Sequence, residues 1–171
     1  MSKLKRLLGT VDSVNIFVGK AVSLLALLQV AALVYEVAAR YFLGRPTIWS
    51  YELTYMIYAA HYLLGAAFCL HLKGHIRIDV IYALLPHRGQ ALVDCLGYLI
   101  VFFPVMIVLT ISGYQLALQA YLIKEVSQYT AWTPVFWPIK TVIFVSFVLL
   151  VFQGLAEFIR RLGVLVRGVE I

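Results

Sequence analysis

The sequence predicts an all-α integral membrane protein, with four transmembrane helices and a short amphipathic cytoplasmic helix between the second and third. Three observations lead there. The first is composition: 63% of the 171 residues are hydrophobic and 13% are charged, where soluble domains average about 45–50% and 25%. So small a body cannot hide that much apolar surface from water, so lipid is the natural solvent. The second is that the apolar residues fall into four continuous runs, each near the roughly 20 residues a helix needs to cross the hydrocarbon. The third is that Lys and Arg sit in short clusters beside those runs, as charges that orient a membrane chain do. The formal charge of +6 therefore reads as contact with lipid headgroups, and no nucleic acid is expected as a partner.

The first span is expected over residues 15–39, around the run AVSLLALLQVAALV. It is too long for a signal peptide and ends in Glu36 and Arg40 rather than at a small-residue cleavage site. The second is expected over 50–72, the third over 90–122 and the fourth over 134–159. Membrane barrels show shorter, alternating segments, which these runs are not. The third run exceeds what a perpendicular helix needs, so it should tilt, project or bend, with Pro104 as the natural bend. All four spans belong to one domain, since the chain has no linker, repeat or low-complexity tract.

Orientation follows from the basic residues. Lys3, Lys5 and Arg6, then Lys73, Arg77 and Arg88, then Arg160, Arg161 and Arg167 lie on one side. Arg40, Arg45 and Lys124 lie on the other. Both termini are expected in the cytoplasm. Between the second and third spans, Ile76, Val80, Ile81, Leu84 and Leu85 recur at helical spacing, with Arg77 and Asp79 on other faces. Residues 74–86 read either as an amphipathic helix at the interface or as a loop tucked against the bundle.

Polar residues inside a span need a partner or a purpose. Glu36 and Arg40 are four apart, acid first, and so share a helix face. Glu52 opens the second span, where a carboxylate suits the helix dipole. One ion-pair network of these three is expected at the outer surface, serving either as a docking site or as a self-satisfied helix-end cluster. His61 falls near mid-membrane, and no other span offers a second histidine at that depth for a haem. An interhelical hydrogen bond is expected of it. Asp94 is expected to pair with Arg88 or Arg77. Gln29, Gln115, Gln119 and Gln153 either line a pathway or bond helices together, and Gly65, Ala66 and Ala67 permit close helix approach. Trp49, Trp132 and Trp137, with Tyr51, Tyr55, Tyr121 and Tyr129, form an aromatic belt. Cys69 and Cys95 read as small packing residues. No phosphate loop, metalloprotease signature or nucleophile–base set is present, so an enzyme is not expected, nor is a cofactor.

The order Glu36-Val37, Arg40-Tyr41-Phe42, Pro46, Trp49, Glu52, then Gly65-Ala66-Ala67, Gly74-His75-Ile76-Arg77-Ile78-Asp79 and Leu85-Pro86 resembles the small membrane subunit of tripartite ATP-independent periplasmic (TRAP) transporters, the DctQ-like small permeases. Trp132, Pro134, Trp137-Pro138 and Lys140 extend the likeness to the last span. The resemblance implies an inner-membrane complex of a bacterium or archaeon that takes up an organic acid or related solute on an ion gradient. Its partners would be a large multi-spanning permease that moves as an elevator, a periplasmic solute-binding protein and the membrane lipids. This chain would be the fixed, non-catalytic scaffold. Arg40, Arg45, Trp49 and Glu52 would then serve docking at the outer face, and His75, Arg77 and Asp79 would tie the interfacial element to the bundle. The competing class is a membrane-anchor subunit of a respiratory enzyme binding haem or quinone, motivated by His61. A third is a small self-assembling exporter.

Overall fold

The computed structural model describes residues 2–74, 82 and 84–168. His75, Arg77 and Asp79, and most of the expected interfacial helix, lie outside those residues. Helix α1 runs Ser2–Phe42 and α2 runs Ser50–His71. Helix α3, His87–Gly97, passes through a π-helical turn, Tyr98–Phe102, into α4, Phe103–Leu122. Helix α5 runs Trp137–Arg167. Four stretches are long and apolar enough to cross a membrane: Lys3–Phe42, Ser50–His71, His87–Leu122 and Trp137–Val166. Among the described residues there is no strand, only an isolated bridge between Val126 and Val135.

The spans pack in sequence-adjacent pairs, α1 on α2 and α3–α4 on α5, and α5 also lies against α2 and α1. Helix α5 is therefore the hub. It buries 28% of its most apolar window, against 11–17% for the other spans. Most of the remaining apolar surface faces outward, as it must where lipid is the solvent.

Two helices are longer than their apolar runs. Helix α1 begins at Ser2, not near residue 15, because the segment before the run has no Pro and keeps good helix formers. Its first turns pack Leu8 and Asn15 into the interior. Helix α5 likewise continues past residue 159 to Arg167, and ends at Gly168, whose φ of 72° is left-handed. Only such a conformation lets the chain leave the helix in this way cheaply.

The third span carries an irregularity one turn before Pro104. Proline cannot donate a bond back to Ile100. The helix widens there, so that the Phe103 N–H donates to the Tyr98 carbonyl, five residues back. The widened turn thrusts Phe102 at α5, where Gly154 receives it. A Cβ on Gly154 would lie 2.1 Å from Phe102 Cε1. Gly19 does the same for α1 and α2, since a Cβ there would lie 2.4 Å from Phe68 Cγ. Gly65, expected to be such a contact, has nothing within 4 Å of its Cβ position. Close approach is thus made by Gly19 and Gly154, while Gly65 faces out of the bundle.

Candidate functional site

The polar side chains collect at the two ends of the bundle. One end holds both termini and the α2–α3 connection. The other holds the α1–α2 and α4–α5 connections.

At the loop end, Glu36 closes the α1–α2 connection. Arg40 donates to Glu36 Oε1 from Nε at 3.0 Å and from Nη2 at 2.6 Å. The Thr47 amide donates to Glu36 Oε2 at 2.9 Å, and the Thr47 hydroxyl bonds the same oxygen. One carboxylate thus fixes its own helix end and the far side of the loop. Gly44, at φ 61°, turns the chain so that the Arg45 amide reaches the Ala39 carbonyl. The Arg45 side chain is exposed. Trp49 stacks on Tyr35, with ring centroids 5.8 Å apart.

Glu52 is not part of that group, contrary to the single network expected from the sequence. It is 2% exposed and points toward the α4–α5 connection, where Ser127 Oγ donates to its Oε1 at 2.8 Å. The helical period explains the error, because Glu52 sits two residues after Ser50, which faces α1, and so turns away from it. Ser127 is held in place by its amide bond to the Pro134 carbonyl. Beside it, Lys140 of α5 pairs with Glu125 at 2.6 Å. The loop end therefore has two separate joints, one for α1 with α2 and one for α2 with the α4–α5 loop.

At the terminal end, three helices meet in a partly buried polar cluster. Asp12 of α1 is its centre. Its Oδ1 lies 3.1 Å from His71 Nδ1 of α2 and accepts from Gln153 Nε2 of α5 at 3.1 Å. Its Oδ2 is bonded by Arg160 Nη2 of α5. Asn15 Nδ2 donates to Gln153 Oε1 at 2.7 Å, and Arg160 Nη1 donates to Glu157 at 2.5 Å. Gln153 is fully buried and Asn15 is 1% exposed. Gln153 therefore joins helices, while Gln115 and Gln119 are exposed on the outside of α4 and line no shared pathway. Asp94 pairs with Arg161 Nε of α5 at 3.1 Å and accepts from the Tyr82 hydroxyl at 2.8 Å. Its described ion pair is thus with α5, not with Arg88.

Sequence reasoning passed over Asp12, Asn15 and Glu157. The available signal was an acid one helical step from a basic cluster, in a segment that continues the helical period of the span. Asp12 meets Gln153 and Arg160, and Asn15 meets Gln153, across more than a hundred residues, which no local spacing reveals, whereas Glu157 with Arg160 is a local i, i+3 pair.

Between the two ends α2 carries one histidine. His61 is half-buried at the middle of the helix and makes no hydrogen bond among the described residues, so the expected interhelical bond is not formed. It lines an open groove of about 350 Å³ with Tyr62, Gly65, Ala66 and Cys69. Cys69 and Cys95 are free thiols, half-buried and buried, in keeping with packing roles. Among the described residues, no group of three His, Cys, Asp or Glu side chains is placed to hold a metal ion.

Among the described residues, the long-range side-chain hydrogen bonds and ion pairs lie at the two ends of the bundle and join helix to helix or helix to loop. A search of curated proteins returns no match. A family model described as "Tripartite ATP-independent periplasmic transporters, DctQ component" matches residues 29–163, from the first span to beyond the Arg160 joint. The chain belongs to that family and is a small membrane component of a TRAP transporter.

Proposed function

We propose that the chain is the fixed, non-catalytic scaffold of its transporter. It holds the large permease in the inner membrane of a bacterium or archaeon while that subunit takes up an organic acid or related solute, driven by an ion gradient. One observation supports this most: polar side chains form joints at both ends of the bundle, and the histidine at the middle of α2, His61, lines an open surface groove. A translocation path through the chain would need the reverse arrangement.

The outward groove around His61 is where the large permease docks in this reading. An imidazole at mid-membrane depth needs a hydrogen-bond partner, and Gly65 and Ala66 let a neighbouring helix come close. At the loop end, exposed Arg45 and the Arg40–Glu36 closure, with Trp49 beside them, face the solute-binding protein. Glu52 holds the adjoining loop in place. The loop end is then periplasmic and both termini are cytoplasmic, in line with the distribution of Lys and Arg. By sequence, His75, Arg77 and Asp79 fall in the cytoplasmic connection.

Co-purification in mild detergent, followed by reconstitution, tests the reading. The chain should recover a large multi-spanning permease as its main partner. Proteoliposomes should take up solute only when that permease and the binding protein are present. Uptake by the isolated chain would overturn the proposal.

A further inference from the structure

Glu52 has a feature that its joint with Ser127 does not use. Its Oε2 has no hydrogen-bond partner and is shut off from water. Glu36, at the same end, has both oxygens engaged by Arg40 and Thr47. Of the described cations at this end, Arg40 pairs with Glu36 and Lys140 with Glu125, while Arg45 and Lys124 are exposed and outside the Glu52 cavity. Among the described residues, no cation pairs with Glu52, whose side-chain partner is the Ser127 hydroxyl. An ionised carboxylate held out of water by one hydrogen bond is costly, and an incoming cation offsets that cost.

The surroundings indicate which cation. Glu52 borders a cavity of about 270 Å³ whose other walls are Tyr51, Tyr55, Met56, Tyr129 and Phe136. Four aromatic rings around one carboxylate attract an organic cation through their negative faces, and the thioether adapts to its shape. A bare divalent ion needs six or more oxygen ligands, and this cavity has one carboxylate and no cluster of further acids. The volume is also far larger than a single ion and approaches that of small-molecule sites. Tyr129, 80% exposed on the α4–α5 loop, is the wall with room to turn aside and bring Oε2 into contact.

We infer that this cavity binds an organic ammonium group, either the headgroup of an amine-bearing phospholipid or a free alkylammonium. Both sources present the same chemistry, and the position at the start of α2, among the belt tyrosines, is open to headgroups and to solutes alike. The site is independent of the scaffold reading.

The test uses the full chain in nanodiscs of phosphatidylglycerol alone, titrated with ethanolamine and with choline while tyrosine fluorescence is read. A second arm uses nanodiscs of mixed phosphatidylglycerol and phosphatidylethanolamine, with retained lipid identified by native mass spectrometry. Wild type should bind an amine in at least one arm. Glu52→Gln, which keeps an acceptor for Ser127, should weaken that binding on the order of tenfold or more, the scale of one charge-assisted hydrogen bond. Tyr129→Leu should weaken it roughly threefold, with an unchanged melting temperature showing that the joint survives. Free amine alone identifies a solute; retained phosphatidylethanolamine alone identifies a lipid; either supports the site. Lack of amine preference in both arms overturns it, as does Glu52→Gln binding like wild type. Glu52→Gln shedding only a partner protein, with no amine preference, also overturns it.

Discussion

The fit between Phe102 and Gly154 sets up a sharp test of how the third span is locked to α5. In Gly154→Ala the new Cβ would lie 2.1 Å from Phe102 Cε1 and 2.5 Å from Cζ, far inside the 3.5–4.0 Å at which carbon atoms attract. The ring cannot step aside freely. It packs against Tyr98 at 5.3 Å and Phe103 at 5.5 Å, and Phe103 in turn meets Phe158 at 5.6 Å. Overpacking of this kind costs up to about 3 kcal/mol. Replacing a mid-helix glycine by alanine returns about 1 kcal/mol, so the net loss is roughly 2 kcal/mol. For a chain of this size that lowers the melting temperature by roughly 4–8 °C, measurable by thermal denaturation followed on a fluorescence size-exclusion column. Gly9→Ala is the control, since nothing lies within 4 Å of its Cβ position; it should raise the melting temperature by a few degrees. In a Phe102→Ala background the sign of Gly154→Ala should reverse, because the obstacle is gone. If Gly154→Ala melts at or above wild type with Phe102 intact, the reasoning fails.

Other perturbations should separate the joints. Asp12→Asn leaves Arg160 without its carboxylate partner on α1 and should cost about 3 kcal/mol or more, read as a lower melting temperature; a neutral result would mean that the terminal cluster does not hold α1. Glu36→Gln should speed hydrogen exchange at the Thr47 amide, whose acceptor is weakened, leaving exchange at Ser127 unchanged; equal effects at both would contradict separate joints. Gly65→Leu should leave the melting temperature of the isolated chain within about 1 °C, because the groove is open, yet abolish recovery of the large permease; undiminished recovery would place the permease on another face.

The architecture was legible in the sequence because membrane spans are written in long apolar runs, which composition alone exposes. Glu36 with Arg40 was legible for a related reason: an i, i+4 pair is local, and the helix fixes its geometry. The irregularity near Pro104 was also local. What escaped was tertiary. Asp12 meets partners on two other helices, and only the bundle reveals that α1 continues back far enough to present it. Gly65 reads like Gly19 and Gly154 in a linear pattern, yet what a glycine admits depends on the ring brought opposite. Glu52 was misassigned because its partner, Ser127, sits in a loop whose path depends on the bond of its amide to Pro134.

The joints also have a mechanical meaning. Two rods pinned at one end can scissor, but rods pinned at opposite ends to different neighbours form a braced frame. Glu36 and Thr47 pin α1 to the start of α2 at one end, while Asp12 pins α1 to His71 and Arg160 at the other. Neither sliding along the axes nor opening about one end is possible without breaking a charged contact. In the scaffold reading proposed above, a moving neighbour would therefore meet a body that resists shearing within itself.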